Sequence, residues 1–270
     1  MHGVARYFRL LGSLAQYTLA REMAFRGNFL VKISVEVIWL GIMLAFYETI
    51  FARTKMVAGW PKFEYLFFVG CFFALNGLIE TLFLENCNEF GELVRTGDLD
   101  FLLLRPIDEQ FLVTCRRVDW GTAPNILMGF AVMGIALYKM HWQFDPLRVL
   151  AFFATFGCGT AIAYGFMLVL TAMSVWMVRN QSLMEMWWLF SSLARYPREI
   201  FLGSKAAEPI GFLFTFILPI LLVANVPANA MVRALDPAMI GFTFGATAVV
   251  LLASRWFFRH ALRSYRSASS

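Results

Sequence analysis

The chain has 270 residues, of which 60% are hydrophobic, 17% aromatic and only 15% charged, whereas globular chains are about half apolar and about a quarter charged. That charge deficit excludes an ordinary soluble domain, and 29 Phe, 8 Trp and 14 Met exclude disorder. A net charge of +5 invites nucleic acid in a soluble chain, but here the cations serve first to orient membrane spans, so no nucleic-acid partner is expected.

The first predicted element, residues 4–26, carries Tyr7, Phe8, Leu11, Leu14, Leu19 and Met23 at near-helical spacing, with Arg6, Arg9, Ser13 and Gln16 opposite. This pattern predicts an interfacial helix over residues 1–28, apolar side in the headgroup boundary and arginines toward anionic membrane lipid. No uninterrupted apolar run with a cleavage site precedes it, so the amino terminus is expected on the cytoplasmic side. Since a span needs about 20 apolar residues, six segments qualify: 29–51, 63–84, 120–138, 149–178, 183–202 and 239–258. The fold class is therefore all-α, a single polytopic membrane domain over 1–270 with six transmembrane helices.

Ionisable groups inside spans are costly and mark either paired structural links or functional sites. On the first span Lys32 and Glu36 stand four apart and are expected to neutralise each other. Glu80, with Asn76 on the second span, reads as a polar link between helices or a contact for a cationic substrate. Arg195 in the fifth cannot shed its charge; the following Tyr196-Pro197 predicts a helix break from which it snorkels to the outer interface. The sharper alternative for Arg195 is a gate or a contact for an anionic headgroup. Trp39, Trp60, Trp142, Trp187 and Trp188 read as interfacial belts.

Between the second and third spans, 86–117 is the longest hydrophilic stretch, and its composition predicts two short helices. Gly97 supplies the left-handed turn that ends the first, Asp98 or Asp100 caps the second, and Arg105-Pro106 closes it. The second helix presents Leu99, Phe101, Leu102, Leu103 and Leu104 beside charge, an apolar surface that wants a partner. The loop holds Arg95, Arg105, Arg116 and Arg117 against Glu89, Glu92, Asp98, Asp100, Asp108 and Glu109. A lipid-binding loop should be net basic, so a protein socket is favoured over headgroups, with packing on its own helices as the competitor.

Before the last span, 210–226 carries Pro219 and Pro227 and follows Pro209. Such a segment survives at membrane depth only where protein or a water-filled cavity satisfies its backbone, which predicts a re-entrant or interfacial outer segment over 203–238; a simple proline kink is the alternative. Making it a full span would send the basic tail, Arg255 to Arg266, outside. Six crossings instead place Arg6, Arg9, Arg21, Arg26, Arg95, Arg105, Arg116, Arg117, Arg179 and that tail inside, outnumbering Arg53, Lys55, Lys62, Lys139, Arg148, Arg198, Lys205 and Arg233 outside. In the last span Gly241 and Gly245 form a G-x-x-x-G for close helix approach, within the chain or to a second one.

Catalytic chemistry finds little footing. His2, His141 and His260 are scattered, Cys71, Cys87, Cys115 and Cys158 have no metal-ligand spacing, and no G-x-x-x-x-G-K-[ST] occurs. The chain is thus read as a non-enzyme without a metal or nucleotide site of its own.

Taken with these spans, the stretch E-L-V-R-T-G-D-L-D-F-L-L-L-R-P-I over 92–107 resembles the G-x-L-D-x-x-L-x-R-P motif of one branch of ABC type-2 transporter permeases. Gly97, Leu99, Asp100, Leu103, Arg105 and Pro106 stand in the matching places. The resemblance implies that Glu92, Arg95, Gly97, Asp98, Leu99, Asp100, Leu103, Arg105 and Pro106 form a coupling helix docking on a separate ATP-binding-cassette ATPase, and that 4–26 is a connecting helix. It implies two ATPases carrying ATP and Mg, a second permease of the same or a related chain, and residence in the cell's inner (plasma) membrane with both termini cytoplasmic. The expected function is the permease subunit of an ATP-driven exporter moving an amphipathic, lipid-like or drug-like substrate out of the cytoplasm or inner leaflet. Glu36, Glu80, Arg195 and Pro219 are candidates for its path or gate. The rival is a nucleotide-independent secondary transporter or channel, although no internal repeat of the kind many carriers show is evident.

Overall fold

A computed structural model describes residues 2–177, 181–203 and 207–265; Val178, Arg179, Lys205 and Arg266 of the span and charge reading lie outside the described residues. Helix α1 (His2–Ala24) is followed, after a turn at Phe25, by α2 (Arg26–Phe51), and a two-residue hairpin, β1 (Met56–Val57) with β2 (Trp60–Pro61), leads into α3 (Lys62–Ile79). A π-helical stretch, Glu80–Leu84, joins α3 to α4 (Glu85–Thr96), so Lys62–Thr96 is one apolar rod of 35 residues. At about 1.5 Å per residue this rod is about 52 Å long, well over a hydrocarbon core of about 30 Å. Its far end must project from the membrane.

Beyond it come α5 (Leu99–Leu103), α6 (Glu109–Cys115), α7 (Pro124–Lys139), α8 (Pro146–Met173), α9 (Gln181–Ala194), α10 (Arg198–Leu202) and α11 (Glu208–Phe212). The chain ends with α12 (Leu222–Val232) and α13 (Pro237–Ser264). Asp145 and Asp236 cap α8 and α13, each carboxylate accepting two backbone N–H groups of the first turn. The all-α class stands. By length and apolarity, however, four helices among the described residues qualify as spans, Arg26–Phe51, Lys62–Thr96, Pro146–Met173 and Pro237–Ser264, and a fifth if a bent pair is one crossing. The helix α7 is shorter than these. The predicted span 183–202 is cut, because Pro197 ends α9 at Ala194 and α10 starts afresh at Arg198.

The proline-bearing segment is bent. Glu208–Ile217 and Pro219–Val232 meet at 80°, across Leu218 at φ −111, ψ 84. The inner limb α12 is almost wholly buried despite Pro227. Its Asn225 and Asn229 amides donate to the carbonyls of Leu221 and Asn225 at 2.8 and 3.0 Å, adding side-chain bonds where the proline interrupts the ladder.

The main core surrounds α3, whose Phe67, Phe68, Cys71, Ala74, Leu75 and Ile79 are essentially inaccessible. It is clasped by α7 at a backbone-close crossing: a Cβ on Gly129 would stand 2.5 Å from the Ala74 nitrogen, and one on Gly70 2.8 Å from the Gly129 oxygen. Trp60 and Trp187 belong to this core at 0% and 5% exposure, not to a belt. A smaller core, Phe90, Leu99, Leu102, Val113, Leu168, Ala172, Phe258 and Ala261, ties α4, α5, α6, α8 and α13 together at the projecting end.

Candidate functional site

The projecting end of the rod is an elbow. Gly97 stops α4 in the left-handed conformation, φ 83, ψ 0, as its sequence position predicts. Thr96 seals the turn, its hydroxyl donating to the Glu92 carbonyl at 3.0 Å and to the Asp98 carboxylate at 2.9 Å. Asp98 occupies the cap position of α5 but makes no capping bond; its carboxylate has been taken by Thr96. Arg105 and Pro106 follow the end of α5, and both are exposed.

The apolar surface expected on α5 divides in two. Leu99 (0%) and Leu102 (7%) point into the smaller core, and Leu103 is half-buried against it. Phe101 and Leu104 stay open at 68% and 82%. Around them lie exposed Glu92, Arg95, Asp98 and Arg105, with Arg95 paired to Glu92 one turn apart, and half-buried Asp100. The elbow thus has an inner face that fixes it and an outer face with oily and charged groups side by side.

Three other helices hold the elbow's return limb. From α1, Arg6 donates to the Pro106 carbonyl at 3.1 Å, and the Tyr7 hydroxyl accepts the Asp108 backbone N–H at 3.1 Å while its ring sits edge-on to Phe111. From α13, Arg255 donates to Asp108 at 2.8 Å and to Gln110 at 3.0 Å. From α8, the Tyr164 hydroxyl accepts the Gln110 amide at 2.7 Å. Burial alone would raise the Asp108 carboxyl, but the Arg255 guanidinium and the Phe111 N–H outweigh it and hold the group below the usual carboxylate range. At the base of α4, Glu89 accepts Arg116 and Arg117, and Glu85 faces Arg21 and Arg117 at 3.8 and 3.6 Å.

The candidates within the spans fall in two places away from the elbow. Lys32 turns from Glu36 to Asp119, at 3.1 Å, in the loop that precedes α7. Glu36 instead accepts the Asn125 amide at 2.8 Å. Glu80, 8% exposed, accepts Asn76 at 2.6 Å and lies within hydrogen-bonding reach of Asn125. Asn125 of α7 thus lies between Glu80 at the end of α3 and Glu36 on α2. Arg195 is the second place. Its guanidinium turns between the faces of Trp39 and Phe72, 5.8 Å from each centroid. Pro219 is buried in the bend and brought to neither group.

Sequence reasoning missed Tyr7, Asp108, Asp119, Asn125 and Arg255 as partners. A signal existed for Asn125, a polar side chain just behind Pro124 at a span's start; none existed for tethers that arrive from the two ends of the chain. Among the described residues no group of three or more His, Cys, Asp or Glu is placed to hold a metal.

Comparison with known proteins completes the picture. No curated protein and no solved structure matches the chain. Residues 37–269, nearly all of the elbow-bearing bundle, match the family described as ABC-2 family transporter protein, so this chain belongs to the ABC-2 transporter family and is a membrane permease component of an ABC transporter.

Proposed function

We propose that the chain is the permease of an ATP-driven exporter and that a separate ATP-binding-cassette ATPase, holding ATP and Mg, pushes on the elbow formed by α4, Gly97 and α5. The observation that carries this reading is the division of α5 into a bolted face, Leu99 and Leu102, and an open face, Phe101 and Leu104. A load applied to the open face passes along the rod into the core around α3 and, through Arg6, Tyr7 and Arg255, into α1 and α13. The cargo is an amphipathic molecule taken from the cytoplasm or inner leaflet of the plasma membrane. Two ATPases and a second permease complete the machine. Gly241 and Gly245 support the latter, since a Cβ on either meets nothing within 4 Å among the described residues.

The test is a pair of substitutions, Gly97→Val and Asp100→Asn, in membranes containing the companion ATPase. Both proteins should insert, while ATP hydrolysis no longer drives transport. Normal transport by both variants with the ATPase bound would remove the elbow from the mechanism, and transport by the purified chain without any ATPase would remove the whole reading.

A further inference from the structure

Arg195 follows the last residue of α9, and its charge is deep. Phe72 stands about 15 Å along α3 from Lys62, and Trp39 about 18 Å along α2 from Phe51, at about 1.5 Å per residue. A guanidinium held between these two rings therefore lies near the middle of a hydrocarbon layer about 30 Å thick. It cannot deprotonate, and ring faces return only part of the cost of removing it from water.

Among the described residues no carboxylate comes within ion-pair distance of it, and the acids on neighbouring elements are engaged. Glu48 is on Lys62 at 2.6 Å, Glu36 is on Asn125, and Glu199 accepts the Trp60 indole at 3.0 Å. The Arg195 Nε is buried with no acceptor. Two turns earlier on α9 the Trp187 indole N–H, in a residue 5% exposed, also has none. An apolar crevice of about 20 Å³ has the Trp187 ring on its wall with Ile79, Phe190 and Ile220, and it reaches Arg195 through Phe72, the ring the guanidinium covers, and Ala194, its chain neighbour. A cation without a carboxylate partner among the described residues, its Nε buried and unsatisfied, thus stands beside an oily slot, the two halves of a site for an amphiphile with a negative head.

We propose that Arg195 binds the anionic head, phosphate or carboxylate, of an amphiphile whose apolar part follows the crevice between α3 and α9. The slot is too narrow for a chain as it stands, so occupancy moves α9 away from α3. The role in transport rests on the export reading above; the binding itself does not.

Binding is measured on the purified full-length protein in nanodiscs of zwitterionic lipid, without nucleotide, using dodecyl phosphate, dodecanoate, uncharged dodecanol and inorganic phosphate. Both anionic amphiphiles should bind about tenfold or more tightly than dodecanol, a gap of about 1.4 kcal/mol or more. Inorganic phosphate alone should bind weakly, since it leaves the slot empty; equal binding would mean a free-anion site and overturn the amphiphile. Arg195→Gln should erase the anion preference, and Arg195→Lys should keep part of it as a point charge. An unchanged preference in Arg195→Gln overturns the proposal, as does a variant whose only change is loss of self-association, because the missing counter-charge would then be a carboxylate of a second copy. Should Arg195→Gln fail to fold, the wild-type protein still decides: dodecyl phosphate must raise its melting temperature more than dodecanol does, and equal shifts sink the assignment. A chain that captures no ATPase would defeat the export reading while leaving these affinities readable.

Discussion

A single amide, that of Asn125, stands between the carboxyl groups of Glu36 and Glu80 and binds three helices to one another. Replacing Asn125 by Ala takes the amide donor from the half-buried Glu36 carboxyl while Glu80 keeps Asn76, a loss of about 1 kcal/mol. Thermal unfolding of the purified protein should show that loss; a variant melting with the wild type would mean the amide is dispensable. Asp108 gives a prediction with a pH sign. Its carboxyl sits below its ordinary value because of Arg255 and the Phe111 N–H, so its stabilising contribution is present above the unfolded-state value and disappears as pH falls through the lower folded one. Proteolytic cutting of 97–108 should therefore accelerate in acid, and Arg255→Gln should produce fast cutting already at neutral pH, with about 1 kcal/mol at stake for a pair this solvated. Identical digestion rates in wild type and variant at neutral pH would refute the tether. At this scale sequence reading named the ionisable groups but mispaired them. Lys32 and Glu36 share a helix face at the favoured spacing, yet Asp119, 87 positions away, takes the lysine; no local rule carries that information.

Among elements, what was legible followed from backbone chemistry, and what was not followed from packing. Gly97 announced its left-handed turn, and Pro219 and Pro197 announced the bend and the break, because each residue permits or forbids conformations by itself. The two faces of α5 were invisible, since the four consecutive apolar residues Phe101 to Leu104 carry no period that says which are covered. The same applies to the glycines. The visible G-x-x-x-G at Gly241 and Gly245 packs on nothing among the described residues, whereas the backbone-close crossing of α3 and α7 uses Gly70 and Gly129, which share no motif. Gly129→Ala must drive α7 off α3, for its Cβ would meet backbone, and should abolish stable expression or lower the melting midpoint sharply, at about 1–3 kcal/mol or more. Gly241→Ala should leave the melting of an isolated chain unchanged. Equal damage from both substitutions would contradict the crossing described here.

For the whole molecule, the elbow matters because its tethers come from opposite ends of the sequence and meet on one short limb: Arg6 and Tyr7 from α1, Arg255 from α13, Tyr164 from α8. Two-state motion requires that a bound partner contact the two states differently, and a force transmitted only through the rod would tilt α3 while leaving the exposed outer helices α2 and α13 behind. Cutting the tethers without touching the open face separates docking from transmission. The double variant Tyr7→Phe with Arg255→Gln keeps Phe101, Leu104 and Arg95 intact, so ATPase capture should be unchanged. The coupling between the elbow and the outer helices should fall by about 1–2 kcal/mol, roughly a five- to thirtyfold shift in a two-state equilibrium. In proteoliposomes this reads as continued ATP hydrolysis with fewer cargo molecules moved per ATP. Loss of capture would place these residues in the docking surface instead, and an unchanged cargo-to-ATP ratio would confine transmission to the rod of α3 and α4.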